Sequence, residues 1–375
     1  DTKSLSNTPS EDFLHIPLIT IDGADAKDFD DAVFAEPSSN GGWRLVIAIA
    51  DVSHYVRQNT ELDAEAQRRG NSVYLPSKVL PMLPESLSNG LCSLKPNEDR
   101  ACLAVEIFLD KNGNKKSHRF IRGKLRSAAR LTYDEVQSVY EGLFDEKQLK
   151  LENGTLHHLF AVYQCRKKLR HIRGTLELHL KERSITFSEN NHPLEIEIRQ
   201  QKEANELIEE FMILANICAA ETLEEHHKTC VYRVHEPPSA DKLADLALLA
   251  DGMNIDLPET PNFTPKQFNL LLEKAPTDAD RELLQNAILR CQSRANYAIE
   301  NAGHYGLGLQ RYAHFTSPIR RYSDLLVHRA LIDACNVGAD GMKQTSAEQI
   351  SEICTHISGT EQIAAKAERR TIDRM

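Results

Sequence analysis

At 375 residues, 41% hydrophobic and 27% charged, the chain has the composition of a folded globular protein and not of a disordered one. Its formal charge of −10 excludes a protein that coats nucleic acid with its whole surface, because that needs lysine and arginine to neutralise phosphates, but it leaves room for a local basic channel. No apolar run nears the roughly 18 residues of a membrane helix, the N-terminal DTKSLSNTPSEDF lacks signal-peptide order, and eight scattered cysteines without a Cys-x-x-Cys pair indicate neither a disulfide framework nor a zinc ribbon.

A cytoplasmic protein with reduced thiols is therefore expected. In chain order, residues 1 to 13 are polar and read as a linker or tail. From Leu14 to about Val136 short apolar or alternating runs predict strands: LHIPLITI, DAVFAE, WRLVIAIADV, ACLAVEIFL and HRFIRGKLR, separated by Gly, Pro, Asn and Ser turns. From about Tyr133 helical periodicity takes over in TYDEVQSVYEGL, HHLFAVYQCRKKLRHIR and KEANELIEEFMILANICAAETLEEHH. EPPSADKLADLALLADGM predicts a helix entered at Ser-Ala-Asp, and LPETPNFTPKQFNLLLEK a proline-rich connector into another. Strands first and helices afterwards is the α+β signature, with a mixed sheet in the N-terminal third and a mostly helical remainder. One large domain over 14–375 is expected. Glu361 to Met375 reads as a helix without a stop, so the chain is expected to be a piece of a longer one.

The stretch Asp22-Gly-Ala-Asp-Ala-Lys-Asp-Phe-Asp-Asp31 places five carboxylates directly after the apolar LITI. Like charges this dense repel and raise one another's pKa unless a cation sits among them. Oxygen ligands with no His or Cys alongside suit Mg²⁺, with Mn²⁺ as a substitute, and not zinc. Two such ions could clamp a phosphodiester, which makes phosphoryl chemistry the leading expectation. An EF-hand fails on spacing, since the position that needs glycine holds Val33 and the one that needs glutamate holds Ser39. The alternative is a solvated acidic turn, which Phe29 and the apolar flanks disfavour by drawing the cluster toward the core.

A second stretch, Gly303-His-Tyr-Gly-Leu-Gly-Leu followed by Tyr312-Ala-His-Phe-Thr-Ser-Pro-Ile-Arg-Arg-Tyr-Ser-Asp324, joins flexible backbone to a helix start at Ser317 and Pro318. Arg320 offers a planar fork suited to phosphate, and the competing reading is a salt bridge from Arg320 or Arg321 to Asp324. Arg68-Arg69 and Arg166-Lys167-Lys168-Arg170 could line a channel or be solvated helix faces. Tyr74, in the proline-bounded RGNSVYLPSKVLPMLP, could stack on a base or simply pack. Tyr133 and Glu209 are polar groups beside strongly apolar helices, and Glu209 is expected to be partly buried between Ile208 and Phe211.

Together these segments resemble the RNB catalytic domain of the RNase II and RNase R family, and within it the RNase R branch more closely. The resemblance is carried by TIDGADAKDFDDAV, IADVSHYV, RGNSVYLPSKVLPMLPESLSNGLCSL, LIEEFMILAN and HFTSPIRRYSDLLVHR, in family order. It implies a 3′-to-5′ hydrolytic exoribonuclease that threads single-stranded RNA into a narrow channel and releases nucleoside 5′-monophosphates processively. Asp22, Asp28, Asp30 and Asp31 match the family aspartates that bind magnesium and position water. Asp25 falls where the motif varies. Arg320 matches the arginine on the scissile phosphate, and Tyr74 the aromatic that stacks on the 3′-terminal base. Tyr133 and Glu209 match positions tied to ribose recognition, and Glu368 a late glutamate near the RNA 3′ end. A second clamping aromatic is replaced here by Leu178, in Arg173-Gly-Thr-Leu-Glu-Leu178, so a one-sided stacking clamp is expected.

The family's cold-shock and S1-type domains are not among these residues, so a weaker grip on long RNA is expected. No membrane, no small-molecule cofactor and a monomeric state are the accompanying expectations. Two competitors are a catalytically silent RNA-binding module of the same fold and a phosphodiesterase acting on DNA or small nucleotides.

Overall fold

The structure is a computed structural model; it describes residues 11–39, 41–76, 78–151, 154–178, 182–187, 193–199, 201–255, 263–342 and 345–374. The N-terminal third supplies β1 (Glu11–Asp12), β2 (Ile19–Asp22), β3 (Asp31–Pro37), β4 (Trp43–Ala50), β5 (Val73–Leu75), β6 (Lys78–Leu80), β7 (Asp99–Leu109), β8 (Lys115–Arg126) and β9 (Ala129–Thr132). Seven of these form one sheet in the order β1-β8-β7-β4-β3-β2-β9. The pairs β1/β8 and β2/β9 are parallel and the rest antiparallel, as a mixed sheet requires. β5 and β6 form a separate hairpin.

At the sheet centre every residue of β4 from Leu45 to Ala50 is buried, which explains why that run is apolar without alternation: both faces are covered. The end of the polar N-terminal segment reaches into the fold, where Glu11 and Asp12 pair with β8 and Phe13 is buried. Residues 1–10 lie outside the described residues.

After α1 (Glu61–Arg69), helices begin in earnest with α2 (Tyr133–Tyr140), α3 (Thr155–Arg173) and α4 (Glu203–Glu225), then α5 (Ala240–Asp251), α6 (Pro265–Glu273), α7 (Asp278–Cys291), α8 (Tyr322–Ala334) and α9 (Ala347–Ile372). α3 packs on β3 and α4, α4 on α8, and α9 on α1 and β5. α5, α6 and α7 enclose a smaller apolar core around Leu246, Phe268, Leu284 and Ile288. The helical two-thirds is interrupted by β10 (Glu182–Phe187) with β11 (Pro193–Arg199) and by β12 (Tyr232–Val234) with β13 (Asn296–Ala298), strands that the helical reading did not contain. The ends of α5 and α6 agree with their sequence signals: Ser239 precedes α5, and a Thr264/Gln267 capping box with Pro265 opens α6.

α8 is buried along almost its whole length and carries Arg329, 2% exposed. That guanidinium donates to Asp63 Oδ1 at 2.7 Å and to the Val56 carbonyl at 2.8 Å, while the Tyr322 hydroxyl donates to the same Asp63 oxygen at 2.9 Å. A buried charge left unpaired would be costly, so the network pins α8 to α1 and fixes the turn that precedes α8.

Candidate active site

The acidic stretch is the connection between β2 and β3. Asp22 is the last residue of β2, Asp31 the first of β3, and Asp28 and Asp30 lie in the loop between. Phe29 anchors that loop: it is buried, its N–H donates to Ser93 Oγ at 3.0 Å, and the Leu94 N–H donates to its carbonyl at 3.0 Å. On the other side Arg130 donates to the carbonyls of Gly23 and Ala24 at 2.7 and 2.8 Å and lies over the Phe29 ring, 5.6 Å from its centroid. Burying the ring between two aspartates turns their carboxylates to a common cavity of about 610 Å³, which Asp22, Asp28, Asp30, Asp31, Tyr74, Tyr133, Glu209 and Arg320 all line.

The wall opposite is the turn Ser317–Arg321. Asp30 ties the two together, since its Oδ1 accepts the Ile319 N–H at 3.0 Å and its Oδ2 lies 3.9 Å from Arg320 Nε. The two arginines divide the alternatives that the sequence left open. Arg321 is ion-paired through Nε and Nη2 to Asp324 at 2.9 and 2.7 Å, whereas Arg320 is 41% exposed at its side chain, donates to Ser317 Oγ at 3.0 Å and faces the cavity. Ser317 and Pro318 do not start the helix; α8 begins at Tyr322 with Arg321 as its N-cap, and the Ser317 N–H donates to Asp324 Oδ1 at 2.8 Å. The preceding glycines serve the protein's own packing: the Gly306 N–H donates to His235 Nδ1 at 2.9 Å, and an added Cβ there would stand 3.0 Å from that ring.

The remaining predicted residues are placed by secondary structure. Tyr133 opens α2 under a Thr132/Glu135 capping box, and Thr132 is paired with Asp22 across β9 and β2, so the aromatic ring is delivered beside the first aspartate. Tyr74 sits on β5 with its hydroxyl donating to Asp28 Oδ2 at 3.4 Å. Glu368, near the end of α9, accepts the Tyr74 backbone N–H at 2.8 Å, so it holds β5 against that helix. Glu209 is half-buried, as expected; Arg170 donates to its Oε1 at 2.8 Å and Gln201 to its Oε2 at 3.1 Å. Its neighbour Glu210 is the fully buried one and shares Arg170 at 2.9 Å. Leu178 lines a separate cavity of about 560 Å³ with Glu209, and Tyr74 is not among the residues of that cavity. Of the basic clusters, Arg68 and Arg69 both pair with Glu65, a solvated helix face.

The sequence reading passed over Arg130 and the far wall formed by Met212, Asn216, Tyr312 and Thr316. For Met212 and Asn216 the signal was present in the helical spacing, since they follow Glu209 by three and seven residues on one face of α4. Asn216 is committed internally, donating to the Tyr312 hydroxyl at 3.0 Å and accepting the Phe315 N–H at 2.8 Å.

The electrostatics of the pocket call for positive charge. Burial and then Asp31 push the Asp22 carboxyl up to about 8; burial pushes Asp31 up to about 7 and Asp30 well above the usual carboxylate range, against the opposing pull of Arg320. Asp22 Oδ2 is buried without a hydrogen-bond partner among the described residues. A hard cation satisfies both conditions with this all-oxygen donor set. Among the described residues the trio of His, Cys, Asp or Glu whose ligand atoms lie within 4.8 Å of one another is His118, Cys218 and Glu221, and there the Lys115 ammonium already contacts Glu221. The aspartates around the cavity lie more widely spaced than that trio.

Residues 10–336 match the RNB domain family. The chain belongs to that family. It is 45% identical over 323 residues to Ribonuclease R of Vibrio cholerae, covering 85% of this chain and 39% of that protein. It is 41% identical over 371 residues to Ribonuclease R of Escherichia coli K12, covering 96% of this chain and 46% of that protein. This RNB chain thus spans less than half the length of these relatives. The structure of Mycoplasma genitalium RNase R in complex with ribose-methylated single-stranded RNA superposes on all of it with a TM-score of 0.92 at 31% identity, over 59% of that protein. Among the described residues no helix is long and apolar enough to cross a membrane.

Proposed function

We propose that this RNB chain is the catalytic core of a 3′-to-5′ exoribonuclease that hydrolyses single-stranded RNA stepwise and processively to nucleoside 5′-monophosphates. The observation that carries the reading is the meeting of four aspartates and the Arg320 guanidinium across a single cavity, with Asp30 hydrogen-bonded to the turn that bears Arg320. Kinship with chains named Ribonuclease R supports the choice of RNA.

Asp22, Asp28 and Asp31, with Asp30, would hold Mg²⁺, or Mn²⁺ in its place. Bound there, the metal supplies charge neutralisation at the phosphodiester and a more acidic water. Everything else falls to the chain's own side chains. Arg320 places a fork of N–H donors against the scissile phosphate and stabilises charge as it builds there. Asp30, held by the Ile319 N–H, orients the attacking water and takes up its proton. Tyr74 stacks on the 3′-terminal base, fixed from behind by Glu368 and at its hydroxyl by Asp28. Tyr133 and Glu209 read the ribose 2′-hydroxyl, the group that separates RNA from DNA.

The test uses end-labelled single-stranded RNA and the matching DNA, with Mg²⁺ or with EDTA. Stepwise shortening of RNA from its 3′ end is expected, lost on chelation. Glu209→Ala and Tyr133→Phe should narrow the RNA-to-DNA rate ratio by roughly tenfold each, the scale of losing one hydrogen bond to a charged or polar group. Equal cleavage of RNA and DNA by the unmodified chain would remove both residues from ribose reading, and RNA binding without shortening would leave a silent RNA-binding module.

A further inference from the structure

Thr20, Asp22 and Arg130 share one face at the edge of the main sheet. Thr20 and Asp22 stand two residues apart on β2, and Arg130 is the partner of Thr20 on the edge strand β9, so the pleat sends the three side chains to the same side. The Arg130 guanidinium spends one nitrogen on backbone: Nη2 donates to the carbonyls of Gly23 and Ala24, the two residues that follow Asp22. The corner where the acidic loop leaves β2 is thus clamped from the neighbouring strand. Against burial and Asp31, which raise the Asp22 carboxyl, the largest opposing pull is that of Arg130, ahead of Arg320.

Three polar atoms on this face are buried without a partner among the described residues: Thr20 Oγ1, Asp22 Oδ2 and Arg130 Nε. They are chemically complementary, since Nε carries one hydrogen, a hydroxyl can donate, and an ionised carboxylate only accepts. Each unmet group is unfavourable where it stands, so three complementary ones on one face call for a common explanation. A cation on the cavity side of Asp22 keeps that carboxylate ionised, and its remaining lone pairs then need donors. Ligating carboxylates are as a rule hydrogen-bonded from behind. Thr20 and Arg130 hold the unspent donors on this face.

We propose that Arg130 is the positioning residue for Asp22, seconded by Thr20: the Arg130 Nε–H and the Thr20 hydroxyl donate to the Asp22 carboxylate, directly or through one water, and hold it for the metal while Nη2 fixes the corner behind it. Neither side chain lines the catalytic cavity, so both act through Asp22. The inference rests on the reading of Asp22 as a ligand of Mg²⁺ or Mn²⁺. Its effect has a definite sign. A bare positive charge beside the site repels the metal, so its removal tightens binding, whereas removal of a group that orients a ligand loosens it.

The experiment measures Mn²⁺ binding by electron paramagnetic resonance, without RNA, on the unmodified chain, R130M, T20V and T20S, beside thermal midpoints in EDTA. R130M is expected to raise the Mn²⁺ dissociation constant roughly tenfold or more, the scale on which lost support behind a metal ligand is felt. T20V should raise it about three- to tenfold, the scale of one hydrogen bond, and T20S, which keeps the hydroxyl, should stay within about twofold. T20V exchanges an unpartnered buried hydroxyl for a methyl and leaves the Gly23 and Ala24 bonds alone, so its midpoint should not fall, and it carries the test if R130M does not fold. Tighter or unchanged Mn²⁺ binding by R130M, or T20V equal to the unmodified chain, overturns the proposal, as do variants whose midpoints fall while their Mn²⁺ affinity holds. An unmodified chain that binds no Mn²⁺ removes Asp22 as a metal ligand and this role with it. Mn²⁺ bound without any shortening of RNA sinks the exoribonuclease reading and leaves the role of Arg130 standing.

Discussion

Asp30→Asn is expected to lower the rate of RNA shortening between about 10²- and 10⁴-fold, the range spanned by removal of a general base, with binding to RNA retained. The substitution is informative because it leaves the scaffold in place. Asparagine keeps an oxygen for the Ile319 N–H, so the link between the acidic loop and the arginine turn survives. What it removes is a charge that burial disfavours. The Asp30 carboxyl is pushed above the ordinary carboxylate range, so in the absence of metal its contribution to folding is present below the unfolded pKa and lost as pH rises through the folded one. A neutral amide escapes that loss. At pH 8 in EDTA the thermal midpoint of Asp30→Asn should therefore equal or exceed that of the unmodified chain. Full activity in the variant would take Asp30 out of the chemistry, and a collapsed midpoint would show that the residue is structural first.

Two adjacent arginines should give opposite results. Arg320→Ala is expected to cost about 10²- to 10³-fold in rate, the effect of losing one preorganised donor to a charged transition state, with unfolding unchanged. Arg320→Lys should recover only part of it, because an ammonium lacks the planar fork. Arg321→Ala is expected to lose about 3–5 kcal/mol of stability instead, because it strands a fully buried partner. Asp324 accepts from Arg321 Nε and Nη2, from the Ser317 N–H and from the Ser323 hydroxyl, all within 2.9 Å, and is 0% exposed. Urea unfolding and single-turnover rates measured on both variants separate the two roles. A stable, inactive Arg321→Ala beside an active Arg320→Ala would mean that the assignments are reversed.

Much of the site was legible because its signals are local. The acidic run lies within ten residues, follows an apolar strand and carries one buried aromatic, so its charge problem and its place beside the sheet could both be read in order. The change from strand to helix at Tyr133 was legible for the same reason, since the Thr132/Glu135 cap is a four-residue signal. The hairpin of β10 and β11 was not, because its strands are flanked by strongly helical segments and short alternating runs are ambiguous on their own. Leu178 was read as standing where a second clamping aromatic would be, leaving the clamp one-sided; that it lines a cavity which does not include Tyr74 is a separation that no local pattern encodes.

The chain's sequence, taken alone, determined which chemical groups are available and the order in which they come: carboxylates after a strand, arginines before a buried helix, a tyrosine in a proline-bounded segment. Tertiary structure alone decided which member of each like pair does what. Arg321 is captured by Asp324 while Arg320 stays part-exposed beside Asp30, and Glu209 reaches the cavity while Glu210, one helical step of about 100° away, turns inward to the same Arg170. The contacts that close the site, Asp30 to Ile319 and Tyr74 to Glu368, span 289 and 294 residues. Neighbouring side chains of the same type are indistinguishable in composition, and only partners brought from far along the chain give each its direction.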